Sequence, residues 1–252
     1  MIPRPSSGPD APHVLRLPEN LRRPHAAVRL YCIPFIGASA DFYLPLAHAL
    51  PGWVEARPVE LPGYSTRRKG SGVQDERTVA DDLTDVITTD IGEHPFALFG
   101  HCSGGLVAFE TVRRLEQSTG HRSRLLAASA IWPPPLVNAR VSSLTVRQLH
   151  QLSMELAGQR ALRQVTVRAV AKRDFLFPLR YRYQDGAPVT CPISAFTGQD
   201  DPIVPPESLH GWSSMTHHPT RSRIYPGRHF WLTRHWPDLA RNLAHDLGAA
   251  VR

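Results

Sequence analysis

The sequence predicts an α/β fold with a mostly parallel central sheet flanked by helices. Short apolar runs alternate along the chain with longer segments of helical periodicity, which is the pattern of a sheet covered on both faces. A Gly-x-Cys-x-Gly segment joins one such run to one such helix. The chain has 252 residues, enough for one domain of this kind and too few for two full ones.

The first 27 residues, rich in Pro, Ser and Arg, read as a flexible leader. Residues 28–252 form the folded domain in this reading. VRLYCIPFI (28–36) is the first strand, closed by a turn at GAS, and a helix follows through FYLPLAHAL. VEARPVEL is the next strand, ended by Pro62-Gly63. TVADDLTDVITTDI places Val79, Leu83, Val86 and Ile87 at helical spacing. PFALFG, HCSGG and LVAFETVRRLEQ then read as strand, sharp turn and helix, and LLAASAIW as a buried strand. Residues 140–188 lose the strand signal and suggest an inserted helical lid, with helices in SLTVRQLHQLSMELAG and VRAVAKRDFLFPLRYRY. CPISAFTG and SRIYPG return to strand, and WPDLARNLAHDL closes the chain as a helix.

Composition removes several function classes. No run of eighteen apolar residues is present, so no membrane span is expected. The N-terminus lacks the apolar core of a signal peptide. Three widely spaced cysteines argue against a disulfide framework and for a reducing, cytoplasmic setting. The histidines and cysteines show no metal-ligand spacing, so neither metal nor cofactor is expected. The net charge of +7 is almost all arginine and scattered. Without a basic helix or a zinc module it does not point to nucleic acid. It fits a solubilising surface, or one that steers an acidic protein partner. A monomer is expected.

The chemistry centres on Gly100-His101-Cys102-Ser103-Gly104. Between a strand and a helix, this Gly-x-nucleophile-x-Gly form makes a nucleophile elbow. The central residue sits on a strained tight turn, and the glycines remove side chains that would collide with neighbouring elements. Cys102 is the expected nucleophile, and Ser103, one residue out of register, is the alternative. A bland reading makes Cys102 a small buried residue at a glycine-rich turn. The amide of Ser103, opening a helix, is one expected oxyanion donor. The second is expected from the loop after the first strand, at Ile36 with Phe35 as the alternative.

Asp201 follows a late strand in Gly198-Gln199-Asp200-Asp201-Pro202, where a carboxylate can orient a base; Asp200 is the runner-up, and an Asx turn is the bland reading. His229, in Pro226-Gly227-Arg228-His229-Phe230, follows the last strand and completes the order nucleophile, acid, base used by α/β-hydrolases. His217 and His218 lie in a polar loop. Phe35, Phe175 and Tyr181 are candidate substrate contacts, although lid aromatics, including Phe177 and Tyr183, more often pack on a core.

These segments together resemble the type II thioesterases of polyketide synthases and nonribosomal peptide synthetases. The likeness runs from about residue 28 to 245. Pro34 to Ser39 is similar to the family's P-H-A-G-G-S, and Phe42 to Ala47 to its F-Y-x-P-x-A. Pro58 to Gly63 matches P-x-x-L-P-G, with Tyr64 where the family has Arg. Ala97 to Gly104 is similar to A-L-F-G-H-S-M-G. Lys172-Arg173-Asp174-Phe175 resembles the R-A-D-F of the family's lid, Gly198 to Val204 its G-x-x-D-P-x-V, and Gly227 to Trp231 its G-G-H-F-F. The resemblance implies an α/β-hydrolase acting on acyl or peptidyl chains tethered to a carrier protein or CoA. Three departures bear on mechanism: Cys102 replaces the usual serine, Phe35 the usual histidine and Ala38 a glycine. A cysteine-bound acyl group is again a thioester and keeps its activation, so acyl transfer or cyclising release stands beside hydrolysis. Two other readings are a Dieckmann-type cyclase, in which the acid is expected soon after the nucleophile where 127–132 carry none, and a non-catalytic carrier-binding protein.

Overall fold

The structure is a computed structural model that describes residues 12–35, 38–61, 76–158 and 181–251. Seven strands form one sheet: β1 (His13–Val14), β2 (Val28–Ile33), β3 (Val54–Glu60), β4 (Phe96–His101), β5 (Leu126–Ser129), β6 (Ile193–Gly198) and β7 (Thr220–Tyr225). Their spatial order is β1-β3-β2-β4-β5-β6-β7. Only β1 runs antiparallel to its neighbour. Every residue of β4, β5 and β6 is buried, as in a parallel sheet covered on both sides. The edge strand β7 leaves Ser222 and Ile224 exposed and carries Arg221 and Arg223, charges that discourage further strand pairing.

Among the described residues, six α-helices cover the sheet: α1 (Leu44–Ala49), α2 (Glu76–Ile91), α3 (Ser103–Arg114), α4 (Pro134–Ser142), α5 (Val146–Ala157) and α6 (Trp236–Val251). α1 packs beside α6, and α2 beside α3. From β2 the chain steps outward to β3, then crosses back to β4 and continues the other way to β7. The direction of winding thus reverses between β2 and β4. With right-handed crossovers, that reversal puts the two helix pairs on opposite faces and opens a crevice at the carboxyl ends of β2 and β4.

Most elements sit where the sequence places them. β2 stops at Ile33 rather than Ile36, because Pro34 lacks the N–H a ladder needs. The run LLAASAIW pairs only over Leu126–Ser129, since Ala130 turns to φ 50°. The helix expected through FYLPLAHAL opens as a 3-10 turn over Ala40–Tyr43. The helical insertion begins earlier than residue 140, at Pro134, where Pro133 is the N-cap. Its second helix, α5, opens on a capping box of Thr145 and Gln148. Residues 159–180, including most of the expected later lid helix, lie outside the described residues.

The expected leader needs correction in its described part. β1 pairs with β3, and the Leu15 amide donates to the Pro58 carbonyl at 2.7 Å. Leu17, Leu21 and Ala26 are buried. The Arg23 guanidinium donates to the carbonyls of Leu50, Pro51, Val54 and Ala47. Apolar residues spaced among the prolines anchor this segment, so residues 12–27 belong to the folded body.

Candidate active site

The elbow is built by glycines that leave no room for a Cβ. A Cβ on Gly100 would sit 2.1 Å from the Gly104 carbonyl oxygen, and one on Gly104 would sit 2.3 Å from that of Ile33. Gly105 is equally constrained, 2.8 Å from the Ile131 side chain, a requirement not foreseen from the motif. These contacts let α3 start one residue after β4 ends. Cys102 alone spans the gap, at φ 52° and ψ −131°. A non-glycine residue there stores roughly 1–3 kcal/mol of backbone strain, held by its surroundings. The Cys102 amide donates to the Ser129 carbonyl at 2.7 Å, and its carbonyl accepts from the Gly105 amide at 2.9 Å.

The loops after β6 and β7 meet beside this turn. A Cβ on Gly198 would lie 2.3 Å from the Arg228 carbonyl oxygen, so glycine permits the approach. The Asp200 amide donates to the Gly227 carbonyl at 2.9 Å, and Gly227 turns the chain at φ 118°. Asp200 itself points to solvent, while Asp201 is buried. Asp201 Oδ1 accepts from the amides of Ile203 (2.8 Å) and Val204 (3.1 Å). Its Oδ2 lies 2.9 Å from His229 Nδ1 and also accepts from the Thr197 hydroxyl. The carboxylate is therefore oriented on both oxygens. His217 and His218 are exposed.

His229 is almost fully buried. Burial works against its charged form but is outweighed by the Asp201 carboxylate and then by Cys102, and the imidazolium is favoured well above the usual histidine range. Nε2 is buried and makes no hydrogen bond of normal geometry, with the Cys102 thiol beside it. His101 turns the other way. Its Nδ1 pairs with the Ser129 hydroxyl at 2.9 Å, and its ring lies 5.3 Å from that of His229. Burial first, and repulsion from His229 second, hold His101 neutral. Ser129 ends β5, where an earlier-strand acid would stand.

Cys102, Ser103 and His229 line one narrow cavity of about 50 Å³. The rest of its wall is apolar: Ala130, Ile131 and Trp132 after β5, Ile203 and Val204 beside Asp201, and Val141, Leu144 and Leu152 from the helical insertion. Cys102 is partly exposed, unlike Cys32 and Cys191, whose thiols burial pushes well up. Ser103 is buried as the first residue of α3. Among the described residues, no group of His, Cys, Asp and Glu is arranged to hold a metal.

Two expected substrate contacts fall elsewhere. Phe35 is buried against Phe42, Phe230 and His101, with centroids 4.9, 5.0 and 5.9 Å away, and it is a packing residue behind the site. Tyr181 is buried with its hydroxyl donating to Glu110 Oε1 at 2.6 Å on α3, so it anchors the chain after the insertion. Ile36 and Phe175 lie outside the described residues.

Residues 28–247 match the family described as "Thioesterase domain". The chain is 31% identical over 237 residues to a probable cadicidin biosynthesis thioesterase of Streptomyces griseus, covering 90% of this chain and 65% of that protein. It is 29% identical over 232 residues to Thioesterase PikA5 of Streptomyces venezuelae, covering 89% of this chain and 82% of that one. Among solved structures, the type II thioesterase BorB from the borrelidin biosynthetic cluster superposes with a TM-score of 0.75 at 32% identity. That likeness covers 95% of this chain and 97% of BorB. RedJ, solved with a PEG molecule in its active site, gives a TM-score of 0.76 at 28% identity over 88% and 92% of the two chains. No helix among the described residues is long and apolar enough to cross a membrane. With its elbow, its parallel sheet and the order of its loops, this chain belongs to the thioesterase domain family and has the α/β-hydrolase fold.

Proposed function

We propose that the protein releases acyl or peptidyl chains from the phosphopantetheine thiol of a carrier protein, with Cys102 as nucleophile, His229 as base and Asp201 as its orienting acid. The observation that carries this reading is the shared cavity. It holds the strained Cys102 and the free edge of an imidazole that Asp201 fixes from the other side. The relatives named above, from antibiotic biosynthesis, support the carrier-bound substrate.

The reaction runs in two halves. Cys102 Sγ, having given its proton to His229, attacks the thioester carbonyl. The oxyanion forms at the N-terminus of α3, beside the Ser103 amide. Collapse breaks the C–S bond, and the departing pantetheine sulfur takes the proton from His229. The acyl group now sits on Cys102 as a thioester. A water, amine or alcohol then attacks, gives its proton to His229, and frees Cys102 as the acyl chain leaves. The apolar wall suits an alkyl acyl group next to the carbonyl. Unpaired, widely spaced cysteines support a cytoplasmic enzyme, which we take to act as a monomer.

Intact-mass analysis of the protein with an acyl-loaded carrier tests the assignment. Wild type is expected to gain the acyl mass, and Cys102→Ala to lose both loading and release. Loading on Cys102→Ala would move the nucleophile elsewhere. Cys102→Ser is expected to shift products toward hydrolysis when amines compete with water. The same products at an equal or higher rate would remove any special role for the thiol.

A further inference from the structure

The solvent-facing side of α5 carries two exposed apolar residues, Val146 and Met154, where an isolated surface helix is expected to be polar. At about 100° per residue, the inward direction of α5 is set by Leu149, Leu152 and Leu156. Leu152 is buried and forms part of the cavity wall beside Cys102. Val146, His150 and Met154 recur at i, i+4 and i+8 on an exposed side, away from those leucines. Val146 is 84% exposed and Met154 62% exposed. The helix is fixed in place by its capping box and by Gln148 Nε2, which donates to the Pro202 carbonyl at 2.7 Å, next to Asp201. Its outer face lies one helix thickness from the cavity that Leu152 and Cys102 line.

The exposed charged residues of α4 and α5 have one sign. Arg147 lies along the edge of this stripe, and Arg140 projects from α4; both are exposed and neither makes an ion pair among the described residues. The acid of α5, Glu155, is bound to Arg228 at 2.8 Å. We infer that this stripe is the docking surface for the carrier protein, received as an apolar contact ringed by the carrier's acidic side chains. The inference rests on the carrier-bound substrate of the proposed function and adds where that substrate's protein part is held. Charge complementarity selects an acidic partner and speeds its encounter. Seating it on α5 places the pantetheine arm at the rim of the wall that Leu152 helps to form.

The test uses the full chain and a polyketide-synthase carrier domain. Fluorescence anisotropy reads the affinity for a labelled holo-carrier. Kinetics compare the propionyl-carrier with the propionyl thioester of N-acetylcysteamine, which has no protein to dock. Val146→Asp/Met154→Asp, and separately the exposed Arg147→Glu, are expected to weaken carrier binding about tenfold or more, in line with loss of a contact centre. kcat/KM for the propionyl-carrier falls in step, while the small thioester keeps its rate within about twofold. Carrier binding should also weaken with salt in wild type and less so in Arg147→Glu. Unchanged carrier affinity in both variants overturns the inference. Equal losses on both substrates overturn it too, since they would mean that the stripe serves the cavity and not the partner. Tight carrier binding on α5 without acyl release from either substrate would leave the docking surface standing and defeat the thioesterase assignment.

Discussion

At the scale of single residues, the site is a matter of directions. Cys102 is held at a positive φ by three glycines, and His229 by a carboxylate whose second oxygen two backbone amides occupy. Because burial alone would drive His229 neutral, its raised pKa depends on Asp201 and Cys102. Replacing Asp201 by Asn removes the larger of these two supports. The imidazole pKa, read by NMR, is then expected to fall, and kcat to drop by about 10³ to 10⁴, as when other triads lose their acid. An unchanged imidazole titration would show that Asp201 does not hold the ring. The sign for stability follows. A raised folded pKa stabilises the protein fully below the unfolded histidine value of about 6.5, and that contribution is lost as pH rises through the folded value. The motif was enough to pick out Cys102, Asp201 and His229, which the fold brings together, because strand-end position and chain order are sequence properties. It did not reveal that Phe35 turns into the core or that Tyr181 spends its hydroxyl on Glu110. Those orientations depend on neighbours far away in the chain.

At the scale of elements, α6 is pinned to the β6–β7 edge by one buried acid. Asp246 receives Arg223 through both oxygens, at 2.5 and 2.7 Å, and the Ser194 hydroxyl at 2.6 Å. Burial pushes its pKa up, but these hydrogen bonds with that of His245 outweigh it and hold the carboxyl below the usual range. A depressed folded pKa adds stability that is present above the unfolded value of about 3.9 and lost as pH falls through the folded one. Asp246→Ala is expected to cost about 2 kcal/mol or more, less than a fully buried pair because Arg223 is partly solvated. In urea unfolding, the gap between wild type and variant should close as pH drops below about 4. A gap that persists at acid pH would assign the loss to packing. Elements with strong periodicity, such as α2 and β4, were plain in the sequence. α4 was not, since its run of prolines reads as loop until Pro133 is seen as an N-cap.

At the scale of the whole molecule, the sheet is closed on one side by residues 12–27. β1 covers the outer edge of β3, and Leu17, Leu21 and Ala26 fill the space beneath. Deleting residues 1–27 is expected to cost about 3 kcal/mol from those buried side chains and to expose the β3 edge to other chains. Thermal unfolding together with light scattering reads both effects. A truncated protein as stable and as monodisperse as the full chain would show that this segment contributes nothing to the fold. The reversal of winding between β2 and β4 sets the place of the site, and the helical insertion narrows its mouth.

The linear chain alone determined the alternation of strand and helix, the elbow at Cys102, and the order in which Cys102, Asp201 and His229 follow their strands. Each of these is written in local periodicity or in glycines a few residues apart. Tertiary structure decided which of two adjacent aspartates faces inward, which of thirteen histidines meets it, and that residues 12–27 pack rather than drift. These outcomes depend on contacts between segments up to about a hundred residues apart, where burial and hydrogen bonding, not local propensity, set the energy.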